Sequence, residues 1–260
     1  MRLNKIIFHS LLIVSLLIVN CSFALAKEYD GLWFMAFNQK NPVLKDLRVR
    51  EAVDQTINKK YILTEIISEE VVPGSYIPPK MIGYDPDLAP REMDVSYAKL
   101  LMKGSNYPMN DKRLKTLTLL HTDGLMTVAI ANQIQKDLRN IGMKVKLVEI
   151  PYSDEDKWID GLSSGKHDLY LLGYKANIKQ LFTEEAAANY DSYTLIEPLF
   201  KSDGNANFSR YDNPRVDKLL GQLENINPAL KGDRNEKLKE VNDILYEDVP
   251  AVLIFYIEKL

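Results

Sequence analysis

Between residues 114 and 173 the chain alternates apolar extended runs with amphipathic stretches, and this rhythm restricts the fold more than any other feature. Leu114 to His121 reads as a strand. Thr127 to Ile141 then places Ala131, Ile134, Leu138 and Ile141 on one helical face, with Gly142 as terminator. Lys144 to Ile150 alternates Val145 and Leu147 with lysines until Pro151 ends it, Asp154 to Ser164 forms a helix around Trp158 and Leu162, and Asp168 to Gly173 is a third strand. Strands joined through helices require right-handed crossovers, so the fold class is α/β, with a mainly parallel sheet flanked by helices. Ligands on such sheets approach the carboxyl ends of the strands, here His121 to Gly124, Pro151 to Ser153 and Gly173 to Asn177.

The flanking segments fit the same plan. Leu32 to Phe37 is apolar enough for a buried strand, and Asn41-Pro42 breaks it. Asp46 can cap a helix with Val49, Ala52, Val53 and Ile57 on one stripe, and Asn58 a second that buries Ile62, Leu63, Ile66 and Ile67. From Val72 to Pro90, prolines and glycines interleave with Tyr76 and Tyr84, the composition of a packed irregular loop. Asp94 starts a helix ending at Gly104. A polar connection from Ile178 to Ala188 leads to helices at Tyr193 to Phe200, Pro214 to Glu224 and Lys231 to Tyr246, and Ala251 to Ile257 forms a closing strand.

Residues 1–26 read as a secretory signal: basic Arg2 and Lys5, an apolar run from Ile6 to Val19, and the small-residue site Ala24-Leu25-Ala26. The run falls short of the ~18 to 20 apolar residues that span a bilayer. Two processing routes are open, because Ile18-Val19-Asn20-Cys21 resembles a lipoprotein box while cleavage at Ala26 would discard the cysteine. Either route places the product outside the cytoplasmic membrane, in the periplasm or cell envelope.

The residues after the signal, 27–260, carry the fold. Residues 1–26 hold two basic and no acidic residues, so without them the formal charge of −3 becomes −5, which gives no electrostatic footprint for nucleic acid. Cys21 is the single cysteine, so the fold rests on a packed core without disulfides.

Catalytic constellations are missing from the sequence. The histidines are His9, His121 and His167, which draw no HExxH or paired-His metal site, and there is no Gly-x-Ser-x-Gly elbow. Gly161-Leu-Ser-Ser-Gly165-Lys166 has one residue too few for a phosphate loop, and His167 stands where Ser or Thr is required. Asp154-Glu155-Asp156 sits where a helix start favours negative charge. What remains is polar and aromatic material at strand ends: His121, Thr122 and Asp123 after one strand, Tyr174, Lys175 and Asn177 after another. Such loops suit recognition of a small solute or peptide, with no cofactor and no metal.

Several blocks occur in a consistent order: Phe37-Asn38; Leu47-Arg48-Val49-Arg50-Glu51-Ala52-Val53 with Ile57-Asn58-Lys59; Ile77-Pro78-Pro79 and Gly83-Tyr84-Asp85-Pro86; Asp168 to Tyr174; Glu197-Pro198-Leu199-Phe200; Asn207-Phe208 with Tyr211-Asp212-Asn213-Pro214; and Val249-Pro250-Ala251. Together they resemble the family 5 extracellular solute-binding proteins, which serve ABC importers of oligopeptides, dipeptides and nickel. The resemblance implies a periplasmic-binding-protein-like lobe that captures solute for an ABC permease, without catalysis. In full-length relatives a first lobe precedes the Phe-Asn block, so the chain resembles the second lobe alone. That leaves an alternative, a truncated product without transport activity or a lobe working with a separately encoded partner lobe. An uncovered lobe face also implies self-association or a partner there.

The resemblance places Tyr174, Lys175 and Asn177 on the inner cleft face. Peptide-binding relatives usually hold the ligand's free amine with an Asp four residues after the strand-ending Gly, and here that position is Asn177. Exchanging a charge-assisted bond of roughly 1.5 to 3 kcal/mol for a neutral one of about 1 weakens amine binding about threefold to thirtyfold. Lys175 adds a positive charge that further disfavours an ammonium.

Overall fold

The computed structural model describes residues 27–69, 71–176, 192–227 and 230–259. Residues 1–26, the expected signal, and Asn177 lie outside the described residues. Five strands form one sheet: β1 (Tyr29–Phe37), β2 (Leu117–Thr122), β3 (Val145–Ile150), β4 (Leu169–Lys175) and β5 (Ala251–Glu258), in the order β3-β2-β4-β1-β5. The principal helices are α1 (Leu47–Thr56), α2 (Val95–Gly104), α3 (Leu125–Leu138), α4 (Glu155–Ser163), α5 (Tyr193–Phe200), α6 (Pro214–Glu224) and α7 (Lys231–Asp248).

Strand β2 pairs in parallel with β3 and β4, whereas β1 pairs antiparallel with both β4 and β5. Four strands therefore point one way, and β1 alone runs against them, which makes the expected mainly parallel sheet a mixed one. Local sequence could not show this reversal. Apolar alternation marks β1 as a strand but carries no direction, which is set by its two long-range partners.

Side-chain alternation divides the core into two layers. Leu169 and Leu171 of β4 join the cluster under α1, α2 and α3, while Tyr170 and Leu172 join the one under α4, α5, α6 and α7. The crossover from β2 to β3 runs through α3 on the first face. The one from β3 to β4 shifts the opposite way and runs through α4 on the second. Opposite shifts on opposite faces keep one hand, as right-handed crossovers require.

The expected caps are present. Asp46 accepts from Arg48 N at 3.0 Å, Asn58 from Tyr61 N at 3.0 Å, Asp94 from Tyr97 N at 2.8 Å, and Asp154 from Lys157 N at 3.2 Å; Asn213, not singled out by the sequence, caps α6 by accepting from Arg215 N at 2.9 Å. Gly142 closes the turn after α3 at φ 80°, and a Cβ there would meet Met109 O at 2.2 Å. The segment after Asn58 departs from expectation. Its residues Ile62–Ile67 wind as a π-helix, so the 3.6-residue stripe breaks, and Ile62 and Leu63 are buried while Ile66 and Ile67 are only half-buried.

Several of the ordered sequence blocks are framework. The buried Arg50 donates to Leu44 O, Lys45 O, Asp248 O and Val249 O, closing the carboxyl ends of α7 and of the short turn Pro42–Lys45. Tyr211 OH and Asn213 Nδ2 both donate to Asp248 Oδ2, at 2.5 and 2.8 Å. The 72–90 loop is packed as its composition suggests: Asn242 accepts from Tyr76 N at 3.0 Å and donates to Ser75 Oγ at 2.7 Å, and Tyr76 OH donates to Ala251 O at 2.6 Å. Buried Asp54 pairs with Lys59 at 2.5 Å, and Lys59 also holds Arg91 O at 3.0 Å, tying the loop's far end to α1.

Candidate ligand-binding edge

The connections after β2, β3 and β4 all leave from one edge of the sheet, because those strands are parallel. The chain after β2 turns to the α3 face, and α5, which follows β4, lies on the other face. Adjacent strands whose connections diverge in this way leave a crevice at their carboxyl ends. The loops after β2 and β3 are tied together, Asp123 N donating to Ile150 O at 3.2 Å and Tyr152 N to Asp123 Oδ1 at 2.8 Å. Two large apolar side chains stand open at this edge: Leu125 is 92% exposed and Tyr152 81%. Sequence reading missed both, since an apolar residue beside a strand is indistinguishable from core until its neighbours are known.

Lys175 ends β4 opposite Gly31, with Nζ 2.9 Å from Asp30 Oδ1 and donating to Glu258 O at 3.3 Å. Asp30 is the extra residue of a β-bulge, between the pairs Tyr29–Glu258 and Gly31–Ile257, and is fully buried. The contact is an ion pair without hydrogen-bond geometry, and neither Asp30 oxygen accepts a hydrogen bond from the described residues. Sequence gave no hint of Asp30, because an acid just before an apolar strand reads as its boundary. The positive charge expected at Lys175 is thus paired with this carboxylate.

Tyr174 is half-buried, and its phenol pKa is raised by burial and then by the Glu197 carboxylate. Burial also raises the Glu197 carboxyl, against the lowering influence of Lys201, whose Nζ lies 3.9 Å away. Tyr193 is raised too, by burial first and then by Glu197 and Glu224, and its OH lies 3.3 Å from Glu224 Oε1. Tyr174 therefore sits with this aromatic and acidic group of α5 and α6, whereas Lys175 is held by Asp30 and the end of β5.

Other expected strand-end residues fall elsewhere. His121 is only 2% exposed, turned into the sheet with Nδ1 2.9 Å from Thr122 O, so it does not belong to the open edge. His167 and Gly165 lie at the opposite edge, where their carbonyls accept from Asn38 Nδ2 at 2.8 and 3.1 Å. That edge holds a cavity of about 450 Å³. Its inner polar groups are engaged with one another: Asp168 accepts from Asn41 Nδ2 at 2.6 Å and from Thr118 N at 2.8 Å. Among the described residues no group of three or more His, Cys, Asp or Glu side chains could hold a metal ion. No helix among them is long and apolar enough to cross a membrane.

The fold is a three-layer α/β lobe with three parallel strand ends at one edge. The family model for "Bacterial extracellular solute-binding proteins, family 5 Middle" matches residues 20–182, and the chain belongs to that family. It is 26% identical over 235 residues to the periplasmic murein peptide-binding protein MppA of Escherichia coli, covering 86% of this chain and 40% of that protein. It is 25% identical over 229 residues to di/tripeptide-binding protein 1 of Pseudomonas aeruginosa, with the same two coverages. The chain thus spans about 40% of the length of these curated relatives. Among solved structures, HbpA2 from Haemophilus parasuis superposes with a TM-score of 0.74 at 21% identity, covering 90% of this chain and 43% of that one. The E. coli murein tripeptide binding protein MppA superposes at 0.72 and 22%, covering 95% and 46%. At these identities the structural likeness establishes the fold.

Proposed function

We propose that this lobe supplies one wall of a solute-capturing site for an ABC-type importer, taking a peptide or similar small solute outside the cytoplasmic membrane and passing it to a membrane permease, without catalysis. The observation that carries this reading is that three parallel strands end at one edge, the edge that bears exposed Leu125 and Tyr152 as well as Tyr174 and Lys175. Family membership supports it, as do relatives named for binding murein peptides and di/tripeptides. Tyr174, Lys175 and Asn177 are its proposed ligand-facing residues, with Leu125 and Tyr152 added as an apolar platform. The opposing wall comes from outside residues 27–259, and both ends of that span leave the sheet at this edge, where Lys259 N donates to Glu28 O at 2.8 Å.

In this reading Asp30 changes the charge balance. With Lys175 paired, an ammonium approaching the edge meets a neutralised lysine, so the weakening expected from Asn177 is not compounded. Titration calorimetry of the secreted chain with short peptides, free or acetylated at the amino end, tests the reading. Saturable heat is expected with peptides, reduced about tenfold in affinity by Tyr152→Ala, the cost of an aromatic contact of about 1.4 kcal/mol. Absence of heat with peptides, metal chelates and sugars alike would overturn it.

A further inference from the structure

The pair β2–β3 carries oppositely charged, partly apolar surfaces at its two ends. At the amino end, α2 and the segment before β2 form a groove of about 420 Å³, lined by Lys99, Leu100, Lys103, Pro108, Met109 and Asn110. Leu100 is 65% exposed, and Met109 O approaches Gly142 just ahead of β3, which fixes the groove at this pole. Its charged groups are both lysines, on one exposed face of α2.

At the carboxyl end, about 20 Å away for six-residue strands, Tyr152 projects from the β3–α4 loop. Exposed Glu155, Asp156 and Asp160 follow it on α4, with Ile159 half in solvent among them. Asp154 is engaged as the cap of α4 and with Lys157 at 2.6 Å, so the remaining acids set the sign of this pole.

From these two poles we infer that the groove is a docking site for a second copy of this chain, the Tyr152 knob of one molecule entering the Leu100–Met109 groove of the next. An aromatic anchor rimmed by carboxylates complements an apolar slot rimmed by lysines. The two surfaces differ and lie at opposite ends of the same strands, so the contact is heterologous. Such contacts propagate head to tail instead of closing into a symmetric dimer. The groove lies at the pole away from the candidate ligand edge, whereas Tyr152 stands on that edge, so this contact competes for Tyr152 with the solute capture proposed above.

Sedimentation velocity across a wide concentration range tests it. The secreted chain is expected to show a sedimentation coefficient that keeps rising with concentration, and to return toward monomer as salt screens the charged rims. Leu100→Glu, on an exposed residue, is expected to abolish the rise. The double variants Lys99→Glu/Lys103→Glu and Glu155→Lys/Asp156→Lys are each expected to stay monomeric alone and to associate when mixed, since each then offers what the other lacks. A monomer at every concentration, a closed symmetric dimer, association untouched by Leu100→Glu, or a mixture that fails to associate would each overturn the inference. Calorimetry on the monomeric Lys99→Glu/Lys103→Glu chain keeps the question separate from solute capture.

Discussion

The framework around Arg50 and the proposed ligand edge around Lys175 are built on different terms. Around Arg50 the polar groups serve one another: one guanidinium serves four backbone carbonyls, and Tyr211 and Asn213 share one carboxylate oxygen. At the edge, Asp30 is buried without a hydrogen bond, and Leu125 and Tyr152 stand in solvent. A saturated region has nothing left to offer a ligand. An unsaturated one stores unmet interactions that a partner can satisfy.

The sharpest way to break this contrast is at its saturated end. Arg50→Ala orphans carbonyls at two helical ends and is expected to destabilise the fold by about 3–5 kcal/mol, read as a lower urea midpoint. A loss below about 1 kcal/mol would mean that the network is incidental.

Alkaline titration probes the same region more gently. Burial raises the phenol pKa values of Tyr76, Tyr211 and Tyr256 above the ordinary value of 10, with the Asp248 hydrogen bond reinforcing the effect at Tyr211. Each folded pKa exceeds its unfolded value, so the native state holds protons that the unfolded chain has released. Stability is therefore fully present below pH ~10 and falls as pH rises beyond it. Ionisation of these phenols, followed by tyrosine absorbance, should coincide with loss of circular dichroism. Ionisation well before unfolding would place them in a looser setting than the hydrogen bonds indicate.

The smallest effect belongs to the edge. Tyr152→Ala removes a side chain that is 81% exposed, so stability should stay within about 0.5 kcal/mol while solute affinity drops. A larger loss of stability would show that Tyr152 is part of the framework.

Legibility in the sequence follows the same division. Helix starts are readable because Asp46, Asn58, Asp94 and Asp154 act on amides two or three residues away. The crossovers were readable because periodicity is local. The direction of β1, the bulge at Asp30 and the inward turn of His121 depend on partners more than a hundred residues away or on which face a neighbour covers, and no local pattern records them. At the proposed edge, sequence and resemblance point to Tyr174 and Lys175, and the structure puts both at the end of β4. Tyr152 lay inside the named strand-end segment Pro151 to Ser153 but was not singled out, and Asp30, which neutralises Lys175, was not found.

The side-by-side departure of residues 28 and 259 also has a mechanical consequence. Strands β1 and β5 are antiparallel, with seven paired positions, and their open ends meet at this edge. A force drawing residues 28 and 259 apart would load those pairs one after another from the open end, as in peeling tape, while β1 kept its seven pairs with β4. Tension arriving through these two segments would thus be relieved at a single seam, leaving the Arg50 framework unloaded until β5 had been stripped away.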